Sequence, residues 1–251
     1  HRGIDVKKIE MPLPVNSKGQ ILDLLQRNID PQTRAIFLSH VTTVDGLKMP
    51  LREISALAQS KGLFLIIDGA QSMGQVKVRL KDLHIDAYAT SGHKWLMGPK
   101  ETGFLYVNRK HSDHFKPIFT DSGYQSYSAS SGTRNVVNFI ALGHVINRID
   151  AYGIQNIEDN NQRLHRYLRQ QLKALGGLKV LSPKPTGLRS GIVTVDLVDK
   201  KNGKVFTQLR EMGQIVKLLP NYNALRFSCH VFTTESQIDE LVKSLGKVLG
   251  S

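Results

Sequence analysis

Two residues of this chain are of the kind that carry covalent chemistry when they share a crevice. Asp68 lies in the stretch IIDGAQS, Ile66 to Ser72, and Lys94 in TSGHKW, Thr90 to Trp95. A neutral lysine amine condenses with an aldehyde, and a carboxylate facing a basic ring nitrogen keeps that nitrogen protonated. The turn Ser91-Gly92-His93 just before the lysine offers donors for a phosphate. Singly, each residue has a plainer reading, since an aspartate at a strand end caps helices and a lone lysine is a solvated surface charge. Together they mean more. Each follows an apolar run, so both are expected at strand ends of one sheet, facing one crevice.

The surrounding pattern sets those positions. Ala35 to Val41 (AIFLSHV) reads as a buried strand, and Pro50 opens a helical pattern with Leu51, Ile54, Leu57 and Ala58 on one face, closed by Gly62. Leu63 to Ile67 is the next strand, which completes a β-α-β unit, the building block of a parallel sheet covered by helices. The sheet continues through Ala87 to Thr90 and Gly103 to Val107. Ligands gather beyond the carboxyl ends of such strands, where Asp68 and Ser91 stand, with His40 and Thr43 beyond a third.

From about Asn138 a long helical pattern takes over, with Leu164, Leu168, Leu172 and Leu175 on one face and a Gly176-Gly177 stop. Strands are expected near Lys179 to Leu181, Gly191 to Leu197, Ile215 to Leu218 and Ala224 to Ser228. A last helix, with Thr234 and Gln237 at capping-box spacing, buries Ile238, Leu241, Leu245 and Val248. The expected organisation is a larger α/β domain over residues 1–137 and the long helix with a smaller domain over residues 138–251.

Lys94, Asp68 and the Ser91-Gly92-His93 turn meet the three needs of pyridoxal 5'-phosphate: an amine for its aldehyde, a carboxylate for its pyridine nitrogen and donors for its phosphate. A lysine at the partly desolvated mouth of such a site would reach its neutral, nucleophilic form more readily. DGAQS followed by SGHKWLMGPKETGFLYV resembles the cofactor-binding core of class V aminotransferases, a group that includes isopenicillin N epimerase-like proteins and cysteine desulfurases. The similarity runs from about Val6 to Val248. It implies fold type I: a large domain with a mixed, mostly parallel sheet, N-terminally incomplete in this chain, and a smaller C-terminal α/β domain. It also implies a homodimer with an active site shared between subunits.

Position by position, the resemblance implies that Lys94 is the catalytic residue that holds the cofactor as a Schiff base. Asp68 would pair with the pyridinium nitrogen and Gln71 with the phenolic oxygen, while Ser91 and His93 hold the phosphate. Thr133, in SSGTRN, would reach the phosphate of the neighbouring subunit's cofactor. Arg226, in ALRFSCHVF, would grip the α-carboxylate of an amino-acid substrate, a task that suits its planar fork. The plainer readings are turn residues at Gln71 and Ser91, a surface ion pair at Arg226, and loop hydrogen bonds at His40 and Thr43.

Three departures from the family pattern bear on the reaction. Ile215 to Leu225 (IVKLLPNYNAL) lacks the nucleophilic cysteine that desulfurases carry shortly before the carboxylate-binding arginine, and Cys229, after Arg226, reads as a small buried residue. Thr43 stands where desulfurases have asparagine, which is closer to the epimerase-like branch. Glu101 stands where the family has a glycine able to take positive φ, so that loop is expected to be rearranged. The activity so implied is epimerisation, transamination or elimination on an amino acid. The alternatives are a cysteine desulfurase or selenocysteine lyase, and a catalytically silent relative serving as a binding module.

Composition narrows the remaining classes. The 251 residues include 34 Lys and Arg against 21 Asp and Glu, a net charge of +13. No basic run exceeds two residues and no aromatic platform interleaves them, so the excess reads as a solvated basic surface and not a nucleic-acid site. The longest apolar run, Leu63 to Ile67, is far short of a membrane span, and residues 1–10 show no signal-peptide pattern. One cysteine excludes an internal disulfide and any multi-cysteine metal site, and no metal is expected. These features fit a cytoplasmic protein.

Overall fold

The structure is a computed structural model that describes residues 3–114, 135–198 and 200–250. It contains two four-stranded sheets, one in each half of the chain. The first runs in the order β1 (Ala35–Ser39), β2 (Phe64–Asp68), β3 (Ala87–Ser91) and β4 (Gly103–Val107). The β1–β2 and β2–β3 pairs are parallel, while β4 returns antiparallel to β3, which makes the sheet mixed.

One face of this sheet forms the core. Ile36, Leu65, Ile67 and Tyr88 are buried there against α1 (Lys18–Asn28) and α2 (Leu51–Ser60), whose Ile21, Leu25, Leu51, Ile54 and Ala58 join the same cluster. Side chains alternate between faces along a strand, so the intervening residues look the other way. That second face is open among the described residues: Phe37 is 72% exposed and Leu105 54%.

The second sheet is antiparallel throughout, in the order β5 (Lys179–Val180), β6 (Ile192–Asp196), β8 (Ala224–Ser228) and β7 (Lys217–Leu219). Helices α4 (Ile154–Ala174), α5 (Asn202–Glu211) and α6 (Glu235–Leu249) cover it. Leu164, Leu168 and Leu172 of α4, Val205 and Leu209 of α5, and Ile238 and Leu245 of α6 pack on Val193, Val195, Leu225 and Phe227. The capping box of α6 is formed, with Thr234 and Gln237 each bonding the other's backbone.

Three expectations need adjusting. The long helix is two helices, α3 (Val136–Tyr152) and α4, because Gly153 at φ 88 interrupts the backbone between them. The third strand of the second sheet begins at Lys217, leaving Ile215 98% exposed in the segment before it. Helix α1 had no counterpart in the sequence reading, although Ser17 caps it by accepting from the Gln20 N–H at 3.1 Å.

Three consecutive carbonyls, each held by a hydroxyl of the second half, join the two halves. Val44 accepts from Thr194 at 2.6 Å, Asp45 from Ser182 at 2.6 Å and Gly46 from Ser190 at 2.8 Å. Gly46 lies so close to β6 that a Cβ there would come within 2.6 Å of Ile192, at a φ of +72. Lys48 and Glu158 add a half-buried ion pair at 2.6 Å.

Candidate active site

The strand register places the polar residues. Ser39 is paired with Asp68 and Asp68 with Ala89, so these residues form one row that closes β1 and β2 and crosses the middle of β3. Ser91, two residues beyond Ala89, shares their face by alternation. This is the open face of the sheet. One Asp68 carboxylate oxygen accepts the Ala70 N–H at 2.8 Å, and among the described residues the other has only a long contact, 3.4 Å, from the Ser39 hydroxyl.

Below the row, a buried polar chain supports the turn after Asp68. Tyr88 is fully buried, and its hydroxyl bonds His40 Nδ1 at 3.0 Å and the Ser72 hydroxyl. Ser72 in turn donates to the Gly69 carbonyl at 2.9 Å. A side chain at position 69 would meet the Tyr88 ring at 2.0 Å, so the turn needs glycine there. His40 itself is buried; burial, reinforced by the Lys48 charge, pushes its pKa down to about 3. It therefore lies within this chain of bonds as a neutral ring.

The lysine turn follows β3. Gly92 donates to the Thr102 carbonyl at 2.7 Å and Gly98 to the Gly92 carbonyl at 2.8 Å, which closes the turn that presents Ser91, His93 and Lys94. His93 and Lys94 are exposed, so the described residues do not provide the desolvation expected at Lys94. None of the three side chains bonds another described residue.

The next residue, Trp95, is buried and donates its indole N–H to the Gln71 side-chain carbonyl at 2.9 Å. Gln71 is thus more than a turn residue. Neither this bond nor the Tyr88 chain was foreseen from sequence.

Arg226, on β8, reaches across to the first half. Its Nη1 donates to the Thr43 carbonyl and hydroxyl, both at 2.8 Å, and burial lowers its pKa. No ion pair involves it among the described residues, and its Nε is buried without a hydrogen-bond partner. The structure therefore brings Asp68, Gln71, Ser91, His93 and Lys94 together at strand ends and adjoining turns, with Arg226 linked through Thr43 to the loop after β1. Thr133 lies outside the described residues.

A model of the family described as "Aminotransferase class-V" matches residues 2–241 of this sequence. The chain belongs to the class V aminotransferase family. It is 28% identical over 260 residues to a probable cysteine desulfurase of Halalkalibacterium halodurans, covering 94% of this chain and 63% of that protein. It is 26% identical over 272 residues to an isopenicillin N epimerase of Amycolatopsis lactamdurans, covering 98% of this chain and 68% of that one. The chain thus spans only part of the length of its curated relatives.

The apo structure of a cysteine desulfurase from Thermococcus onnurineus superposes with a TM-score of 0.83 at 21% identity, over 97% of this chain and 66% of that one. The α/β architecture with a mixed, mostly parallel sheet is that of fold type I.

Two departures from the class V pattern acquire physical content. Cys229 is buried, its N–H bonded to the Gly191 carbonyl at 2.8 Å, and burial pushes its thiol up to about 12. A thiol so placed is a packing group, not a nucleophile. Glu101 takes a φ of 64, so the loop keeps the left-handed backbone with a glutamate in place of glycine and is not rearranged to avoid it.

Proposed function

We propose that the protein carrying this chain is a pyridoxal 5'-phosphate-dependent enzyme acting on an amino acid, with Lys94 as the residue that bears the cofactor. The observation that carries this reading is the row across the sheet, where the Asp68 carboxylate and Ser91 share the open face beside an unencumbered Lys94. The residues present suit the group. When bound, the cofactor supplies an aldehyde for a lysine and an electron-withdrawing ring.

Each residue has a definite task in this reading. Asp68, with one carboxylate oxygen only weakly engaged by Ser39, holds a proton on the ring nitrogen. Ser91 and His93 donate to the phosphate, and Lys94 also moves a proton at the substrate α-carbon. Arg226 binds the substrate carboxylate, and its orphaned buried Nε supports this because a carboxylate would satisfy it. Thr133 serves the neighbouring subunit of a homodimer. Residues 1–137 form the cofactor domain and 138–251 the long helical segment and small domain.

Among the described residues no helix is long and apolar enough to cross a membrane. With the single cysteine, this supports a cytoplasmic site of action.

For the reaction itself, we favour epimerisation, transamination or elimination over desulfuration. The relatives carry the names of both branches at similar identity, but the thiol here is buried with a raised pKa. A desulfurase built on this chain would need a nucleophile other than Cys229. The joint presence of Asp68, Gln71, Lys94 and Arg226 favours an enzyme over a silent binding module. The test is exchange of the α-proton of candidate amino acids in deuterated buffer by the full-length protein supplied with cofactor. Exchange that Lys94→Ala abolishes supports the reading, and exchange that survives it refutes the role of Lys94. Sulfide release from cysteine would instead select the desulfurase.

A further inference from the structure

Gln71 ends in an amide whose two faces are chemically opposite, one an acceptor and the other a donor, so its orientation determines what it offers a ligand. Trp95 settles that orientation. An indole N–H only donates, and it is bonded to the Gln71 carbonyl oxygen at 2.9 Å. The NH2 end is therefore the free one, with no bond to another described residue.

The indole has little freedom to release its partner. Its main chain is crowded by Gly74, where a Cβ would fall 2.5 Å from the Trp95 carbonyl carbon, at a φ of +90. Its ring is crowded by Gly191, where an added Cβ would touch it at 3.0 Å, and is stacked with His230 at 5.1 Å with planes 9° apart. His230 is held in turn, since its Nδ1 accepts the Val231 N–H at 2.9 Å and its ring also stacks with Phe232 at 4.3 Å. The Gln71 main chain is also tethered to the second half, because its carbonyl accepts from the Gln75 amide, whose own oxygen accepts the Gly191 N–H at 2.9 Å.

We propose that Trp95 is a positioning residue for Gln71: by occupying the amide oxygen it commits the amide NH2 to the site, and by stacking on His230 it fixes that choice to the segment that follows β8. The inference rests on the proposed function, in which Gln71 faces the phenolic oxygen of the cofactor. An N–H donor stabilises that oxygen as an anion, whereas a flipped amide would present a second acceptor and destabilise it.

The test uses the full-length protein loaded with pyridoxal 5'-phosphate and reads the pH midpoint of the cofactor's visible absorbance band. Trp95→Phe keeps a ring on His230 but removes the N–H, and should raise the midpoint by about 0.5 to 1 pH unit, the size of one hydrogen bond. Gln71→Ala should raise it at least as far, and the double variant no further than Gln71→Ala alone. A midpoint unmoved by Trp95→Phe, or shifts that add in the double variant, overturns the proposal while leaving the cofactor reading intact. A wild-type protein with no such band overturns both. Should Trp95→Phe not fold, Gln71→Glu decides the matter, because a carboxylate accepts from Trp95 yet has no donor to present. Its midpoint should exceed that of Gln71→Ala, and a value at or below wild type contradicts a donor at this position.

Discussion

Arg226 donates through a single nitrogen, Nη1, to both the carbonyl and the hydroxyl of Thr43, each at 2.8 Å. The guanidinium on the second sheet is thereby aimed by the loop that follows β1 on the first. Removing the hydroxyl in Thr43→Val leaves the carbonyl in place, so the KM for an amino-acid substrate should rise about three- to tenfold with kcat little changed, as expected for one hydrogen bond. Arg226→Ala should raise it on the order of 100-fold, because a charge-assisted contact is lost. Steady-state kinetics on both variants checks this, and an unaltered KM in Arg226→Ala refutes the carboxylate role.

Glu101 occupies a left-handed backbone, φ 64, at the turn that leads into β4. That conformation costs a residue with a Cβ about 1–2 kcal/mol, while glycine carries a smaller entropic penalty in the unfolded chain. Glu101→Gly should therefore stabilise the protein by about 1 kcal/mol. Denaturant midpoints measure it, and a destabilised variant would mean that the glutamate side chain contributes more than the backbone costs.

The buried histidines predict a dependence of stability on pH. Burial pushes His40 down to about 3 and His165 down to about 4, from 6.5. Above 6.5 both are neutral whether folded or unfolded and contribute nothing to the slope. As pH falls below that value the unfolded chain takes up protons that the folded one refuses, so stability drops by about 1.4 kcal/mol per pH unit for each histidine. The loss continues to about pH 4 for His165 and to about pH 3 for His40.

Asp45, raised by burial, acts in the opposite sense above 3.8. Urea titrations at several acidic pH values on wild type and His165→Gln separate the contributions. The variant should lose one proton from the slope, and an equal slope in both proteins would contradict the assignment.

What could be read in the sequence was what local pattern encodes. The strands ending at Asp68 and Ser91 and the helix over Leu51–Ser60 were legible from apolar runs and helical spacing, and so was the placing of both residues at strand ends. Helix α3 begins at Val136, ahead of the expected Asn138, because its apolar residues do not follow one face: Val136, Val137, Phe139 and Ile140 are all exposed. The edge strand β7 was displaced for a related reason, since Ile215 and Val216 have strand-like side chains but only Lys217–Leu219 find a partner in β8. The stack of Trp95 on His230 and the bond from Trp95 to Gln71 join three distant segments, and no periodicity announces such a meeting. The capping spacing from Ser17 to Gln20 was present and would have located α1.

The central claim is that Lys94 bears the cofactor. Borohydride reduction of the full-length protein loaded with pyridoxal 5'-phosphate, followed by peptide mass spectrometry, tests it most directly. The account predicts a pyridoxyl group fixed on Lys94 and no fixed label in Lys94→Ala. A label on any other lysine, or none on the wild-type protein, would contradict it.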